Sequence, residues 1–458
     1  MSKLSKQTAF KTSSDANSAF DRALYERTVE MMLAEAKQQG ASAAEAGLSV
    51  ESGLSVNVRL GEVETIEHNR DKILGATVYF GQRKASASTT DFSEKAIKAT
   101  VKAACDIAKH TEEDPYAGLA DIDLMAKDIP DLGLYCHWDI SAEESIELAQ
   151  QCENVARNFD KRITNSEGAS VSSHDGYRLY ANSQGFVGGS ASSRQSLSCS
   201  VIGESESGMQ RDHWYSVARN PADLESANAV GQKAAEHTLS RLDARKIPTC
   251  QAPVIFDAEV ARGLLGSFLS AISGGKQYRK STFLLDHKGK QIFPERFTID
   301  ERPHIMGGLG SAAFDNEGVA TQNRNWIENG VLQEYILDSY SARRLGMQTT
   351  GNAGGVHNLF INPDDMSRDA LIKEMNTGLI ITEVMGQGVN LVTGDYSRGA
   401  SGFWVENGEI QYPVEEITIA STLQEMYQQL VHVANDVDRR GNVNTGSWLI
   451  EKMSVGGS

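Results

Sequence analysis

The 458-residue sequence is short of the residues that usually staple a chain. It has five cysteines, Cys105, Cys136, Cys152, Cys199 and Cys250. The number is odd and no two form a CxxC pair, which argues against a disulfide framework and a cysteine zinc site. Cys105 and Cys152 sit among alanines in helical patterns and are expected to be small buried hydrophobes. Long apolar runs are also missing. No stretch approaches the roughly 18 residues of a membrane-spanning helix. The first twenty residues, MSKLSKQTAFKTSSDANSAF, lack the apolar core of a secretory signal and are expected to form a flexible tail. Positive charge is in deficit: the net charge is −17, which disfavours nucleic acid as a partner. Together these absences fit a cytoplasmic protein with no membrane association.

Catalytic signatures are equally scarce. A zinc hydrolase commonly sets two histidines one helical turn apart, with a glutamate to polarise the bound water. The ten histidines here are scattered, and the closest two, His287 and His304, are seventeen positions apart. The segment GASGFW places Ser401 between glycines but misses the nucleophile-elbow spacing by one position. Gly275-Lys276 lacks the Ser or Thr that would hold magnesium. The GxG of residues 308–313 lacks a strand–turn–helix setting.

What is present is a regular alternation of helical and strand patterns, an α+β plan. Residues 20–39 carry Phe20, Leu24, Val29 and Met32 at helical spacing and stop at Gly40. Alternating strand patterns follow, with a tight turn at Gly61, and then a helix over 93–109. Residues 111–139, rich in Asp, Pro and Gly, read as a long surface connection. Ser141 and Glu144 form a capping box that opens the next helix. Three strand-like stretches span 169–207, and a helix over 221–241 starts at Pro221. Residues 20–110 and 141–242 therefore share a helix–strands–helix plan, which suggests a duplicated unit. The expected division is a tail (1–20), an N-terminal α/β domain (21–245) and a β-rich C-terminal domain (246–458). In the last, Asn329-Gly330 and Asn407-Gly408 predict type I′ hairpins. YSARRLG predicts a short helix stopped by Gly346. Further helices are expected at 364–377 and 421–437.

Three stretches invite a functional reading. Residues 254–275, VIFDAEVARGLLGSFLSAISGG, predict a strand, Asp257 as N-cap, and a helix. Val260, Leu264, Phe268 and Ile272 form its apolar face, and Gly263, Ser267 and Ala271 a row of small residues suited to close packing. Residues 385–410 combine six glycines with Asp395, Tyr396, Arg398, Gly399, Ser401 and Gly402. They read either as an edge that binds an extended peptide or as a curved sheet whose glycines serve bends and bulges; physics favours the second slightly. Residues 349–358, TTGNAGGVHN, could bring backbone amides to a ligand, although a lone histidine such as His357 is more often structural. Asp338 and Arg343–Arg344 are most simply helix-end charges.

The strings YRKSTFLLDHKGKQIFP, NEGVATQNRNWIENGVL, SYSARRLGMQTTGNAGGVHN, GLIITEVMGQGVN and TGDYSRGASGFWVENGEIQYPVEEITIA closely resemble the TldD/PmbA metalloprotease family, in its PmbA (TldE) branch. The resemblance implies a cytosolic protein with an N-terminal α/β domain and a β-rich C-terminal domain. It implies assembly as a heterodimer with a TldD-like chain, and cleavage of flexible peptides such as microcin-type leader peptides and small antitoxins. In the TldD branch the zinc helix carries HExxxH and a late cysteine completes the site. Carried onto this sequence, those positions fall on Gly266, Ser267 and Ala271, and on Thr445 or Gly446. No ligand is present at any of them. The resemblance therefore implies a chain without zinc or catalytic residues of its own, whose TldD-like partner holds the zinc; whether the chain forms a homodimer when that partner is absent is left open by the sequence. Two alternatives stand beside this. One is a metallopeptidase in its own right, with a site drawn from His304, His357 or Asp395. The other is a non-enzymatic binding or regulatory protein.

Overall fold

The computed structural model describes residues 19–457, so most of the expected N-terminal tail lies outside the described residues. Phe20, at its edge, is buried against Tyr135 and Tyr177.

The first unit runs α1 (Arg22–Gln38), β1 (Ala43–Arg59), β2 (Glu62–Phe80), β3 (Arg83–Thr89) and α2 (Glu94–His110). The second runs α3 (Ala142–Arg157), β4 (Ile163–Asn182), β5 (Val187–Ser205), β6 (Gly208–Ala218) and α4 (Ala227–Ser240). Their six strands form one antiparallel sheet in the order β3-β2-β1-β4-β5-β6, curled as a half-barrel. The two units meet where their first strands pair, Leu48 opposite Leu179. Alternation along the strands sends one side-chain row toward the helices. Leu48, Leu74 and Leu179 pack under Val29 and Met32 of α1 and Ile97 and Val101 of α2. Val56, Val171 and Leu197 pack under α3 and α4. The capping box at Ser141 and Glu144 is formed, and Cys105 and Cys152 are fully buried.

Several local expectations change. Leu24 is exposed rather than part of the apolar stripe. Two of the three strand-like stretches fuse into β5, because serine does not break a pleated strand, and β6 was not read at all. Pro221 opens a separate single turn, Pro221–Asp223, and α4 starts later, capped by Ser226. Residues 111–139 are no mere surface connection. Leu119, Ala120, Met125, Leu132, Leu134 and Tyr135 are buried, and Arg343 donates to the carbonyls of Tyr116, Gly118 and Leu119. Arg343 thus ties this strap to the C-terminal region, beyond the helix-end role its position suggested.

The C-terminal region begins with β7 (Cys250–Phe256) and α5 (Ala258–Ala271). Its main sheet adds β12 (Gly378–Met385), β13 (Asp395–Glu406), β14 (Glu409–Thr422), β15 (Leu430–Val433) and β17 (Trp448–Gly456), continuing the chain-order numbering. The order is β14-β13-β12-β7-β17-β15, and pairing of β14 with β17 closes five strands into a barrel. A second sheet contains short strands at Ile299–Glu301, Arg324–Glu328, Val331–Leu332, Leu359–Ile361 and Val443–Asn444. Both Asn-Gly hairpins hold: Asn329, Gly330, Asn407 and Gly408 all have positive φ. The YSARRLG helix, Ser339–Leu345, ends at left-handed Gly346. The last predicted helices shorten to Arg368–Met375 and Leu423–Gln428, since the chain after Gln429 turns into β15.

Candidate functional site

Helix α5 leads directly from the central barrel strand β7. Leu264, Phe268 and Ile272 are buried and Val260 packs at the margin. Phe268 meets Phe293 and Tyr427 edge-on, and the Tyr427 hydroxyl donates to the Leu264 carbonyl at 2.9 Å. Burial of Leu264, Leu265 and Phe268 contributes roughly 1.5–3 kcal/mol each, enough to fix this face inward. Asp257 occupies the N-cap position, but its side chain does not cap the helix. It accepts two hydrogen bonds from Arg368 instead, at 2.8 and 2.9 Å. The small-residue row is closely packed only at its end: Ala271 is buried in the core, whereas a Cβ on Gly263 would meet nothing within 4 Å.

The outer side of α5 faces the segment that returns toward β17, and its charges are paired there. Arg262 meets Asp438 at 2.6 Å, and Arg440 meets Glu259 at 2.9 Å and Asp438 at 3.0 Å. Arg440 also stacks over Trp214 and Tyr215 of β6, so the network joins the half-barrel to the barrel. Burial pushes the Asp438 carboxyl up. The hydrogen bonds from Arg440 and the charges of Arg262 and Arg440 outweigh that and hold it below the ordinary carboxylate range. Arg241 makes a parallel link, pairing with Glu383 of β12 and with Asp212 of β6.

The five positions singled out on α5 and the late segment lie on neighbouring elements, since α5 packs beside Val443–Asn444. None offers a free metal donor. Gly266 has no side chain. Ser267 donates to the Gly263 carbonyl at 3.1 Å. Ala271 is wholly buried. Thr445 is buried, and its hydroxyl accepts from the Trp448 indole at 2.7 Å. At Gly446 a Cβ would lie 1.8 Å from the Ala434 carbonyl oxygen, so no side chain fits there. No group of three His, Cys, Asp or Glu able to hold a metal occurs among the described residues.

The glycine-rich segment lies inside the barrel wall. β13 pairs with β14 along its length and with β12 from Gly399 to Val405, while residues 388–390 bond Asp395, Tyr396 and Ser397 on that same side, so its main chain offers no open edge. Register shifts interrupt it near Ala400 and Gly402, and a Cβ on Gly402 would lie 1.7 Å from the Ile380 carbonyl oxygen. These are glycines of bends and close backbone approach. Asp395 is exposed, Arg398 is half-buried and donates to the Gly386 carbonyl, and Gly399 pairs with Met385. Tyr396 is buried, and burial pushes its phenol up to about 12. Ser401 is buried within the Arg241–Glu383 link. The candidates therefore do not converge on one surface.

The 349–358 loop folds over a buried carboxylate. Glu301 accepts from Asn352 at 2.9 and 3.1 Å and from the His357 backbone and ring, the latter at 2.9 Å. His304 bonds Thr321 at 3.0 Å, and burial followed by the charge of His357 lowers its pKa. Both ring contacts are spent within the fold, and Asp395 belongs to a different element, β13.

Sequence reading missed a cleft of about 1040 Å³ lined by the half-barrel sheet. Residues 129–135 of the strap and 309–316 of the C-terminal region wall it. Glu51, Asp175, Tyr177 and Arg178 come from the sheet. Arg219 at its edge donates to the carbonyls of Ser193, Gly308 and Leu309, and burial, with the charge of Arg194, lowers its pKa to about 10. The signal was the 111–139 segment itself, whose many polar residues masked its buried ones.

Comparison with known proteins places this architecture. Three family models match: PmbA/TldA metallopeptidase domain 1 over residues 44–108, the central domain over 136–242 and the C-terminal domain over 249–457. The metalloprotease PmbA of Escherichia coli O157:H7 is 52% identical over 425 residues, covering 93% of this chain and 94% of that one. A PmbA homologue of Haemophilus influenzae is 52% identical, covering 92% and 94%. A crystal structure from Bacteroides thetaiotaomicron, of a protein described as a candidate modulator of DNA gyrase, superposes with a TM-score of 0.90. It is 28% identical and covers 94% of this chain and 99% of that chain. The chain belongs to the PmbA/TldD metallopeptidase family. Within it, the chain falls in the PmbA branch.

The family name implies a metal, and zinc requires about three protein ligands. The residues here do not fit one: the α5 positions have no donor, the Thr445 hydroxyl is engaged, and Gly446 has no room for a thiol.

Proposed function

We propose that this chain is the metal-free subunit of a cytoplasmic, two-chain peptidase. A TldD-like partner would carry the zinc, and the pair would cleave flexible peptides such as leader peptides and small antitoxins. One observation carries the reading. The outward side of α5, the helix that the resemblance aligns with the family's metal helix, is committed to the Glu259–Arg440–Asp438–Arg262 network, and the aligned ligand positions are Gly266, Ser267 and Ala271. The chain then acts by shaping a chamber and holding peptide. The cleft beside the half-barrel sheet suits an extended segment of a few residues, with Asp395 and Arg398 as outlying contacts on the barrel.

Zinc content by elemental analysis tests this, on the chain purified alone and co-purified with a TldD-like chain. The expected result is no zinc alone and about one per heterodimer when paired. Stoichiometric zinc on the lone chain, or no complex with a TldD-like chain, would overturn the reading.

A further inference from the structure

Three basic side chains stand in one row across neighbouring strands of the half-barrel sheet. His174 of β4 lies opposite Arg194 of β5. Ala218, the last residue of β6, lies opposite Gln195, so Arg219 comes next in register, beside Arg194. The row is on the face turned away from the helices. Leu48, Leu74 and Leu179, which pack under the helices, occupy the alternate positions of the same strands. All three basic residues line the cleft, and the row lies at one end of it.

Like charges opposite one another on adjacent strands destabilise a sheet. Here no acid offsets them. Arg219 spends its guanidinium on carbonyl oxygens, and burial together with the charge of Arg194 lowers its pKa. Arg194 is exposed and makes no hydrogen bond or ion pair among the described residues. His174 is also exposed, and its ring lies across β1: a Cβ on Gly53 would fall 2.1 Å from Nδ1, so glycine leaves the room for it. Each acid lining the cleft already has a partner. Glu26 has Arg22, Glu51 has Arg178, Asp175 has His137, and Asp131 and Asp315 accept backbone amides. The row therefore holds an uncompensated positive charge, in a chain of net charge −17.

Behind the row the floor is low. Gly176 faces Ser192 in the next row and Arg178 faces Ser190 in the one after. From His174 to Arg178 is about 13 Å, the span of some four extended residues. Phe314 closes the far end, where a Cβ on Gly188 would lie 2.9 Å from its ring. We propose that the row binds the terminal carboxylate of an extended peptide lying along this floor, with Arg194 as the main contact and His174 and Arg219 adding to the field. The planar fork of an arginine matches a carboxylate and makes charge-assisted hydrogen bonds to it. The proposal rests on the reading of the cleft as a peptide holder and adds which end of the peptide is held.

The probe is a fluorescein-labelled hexapeptide of alanine and serine, made with a free C-terminal carboxylate and with a C-terminal amide. Binding to the full-length chain is followed by fluorescence anisotropy. The acid is expected to bind about tenfold more tightly than the amide, and the difference should shrink as salt is raised. Arg194→Gln should abolish the difference while leaving the amide's affinity unchanged, which also shows that the cleft is intact. Arg194→Lys should keep part of the difference. Acid and amide that bind equally to the wild-type chain overturn the proposal, as does a preference that survives Arg194→Gln. A chain that binds neither form through the millimolar range overturns both the proposal and the use of the cleft for peptide. The zinc measurement is independent of all these outcomes, so failure of the metal-free reading is told apart from failure here.

Discussion

The Arg440 guanidinium lies 4.0 Å from the Trp214 ring centre and 2.9 Å from the Glu259 carboxylate. One side chain thus joins the last strand of the half-barrel to helix α5 of the barrel. Arg440→Ala removes the cation–π contact and leaves Asp438, nearly buried, with Arg262 alone. The expected loss is about 3 kcal/mol, seen as a lowered midpoint in urea unfolding. An unchanged midpoint would show the network to be idle.

This network and the parallel Arg241 link set an acid limit. Asp438 and Asp212 both titrate below the ordinary carboxylate value; in each, burial opposes the shift, and partner hydrogen bonds and arginine charges overcome it. A depressed folded-state pKa stabilises the fold above the unfolded value of about 3.9, and that stability is lost as pH falls through the folded value. Thermal midpoints should therefore drop steeply below about pH 4, and Asp438→Asn should flatten that drop. Wild-type and variant profiles that run parallel would count against it.

Restoring a thiol at the late position should fail for steric reasons. Gly446→Cys drives a Cβ to within 1.8 Å of the Ala434 carbonyl and near Asp436. The cost is about 1–3 kcal/mol or more, with no gain in zinc retention, read by thermal melting and elemental analysis.

The 349–358 loop should behave as structure. Glu301→Ala strands the buried donors of Asn352 and His357 and should cost about 2–4 kcal/mol. His357→Ala should lower stability without changing bound zinc, by the same two measurements. A loss of zinc would instead point to a metal role for His357.

At the alkaline end, burial pushes Tyr396 up to about 12. A raised folded-state pKa leaves stability intact below the unfolded value of about 10 and erodes it as pH rises toward the folded value. Tyr396→Phe should therefore hold its midpoint better than wild type above about pH 10, followed by circular dichroism.

Local chemistry was legible in the sequence wherever a few neighbouring residues decide a conformation. The Asn-Gly turns, the Ser141–Glu144 box and the Gly346 stop need only their own backbone and side chains. That Gly266 and Ala271 carry no coordinating atom was equally legible, because it follows from residue identity alone. Tertiary structure decided the rest, because those outcomes depend on partners distant in sequence. Asp257 gave up its cap to Arg368, more than a hundred positions away. The strap at 111–139 became half core when Arg343 and the sheet reached it, and pairing of β13 with β12 and β14 decided between the open edge and the curved sheet that the glycines of 386–402 had left as alternatives. Burial and hydrogen-bond satisfaction are properties of the assembled chain, and at these places they overrode local propensity.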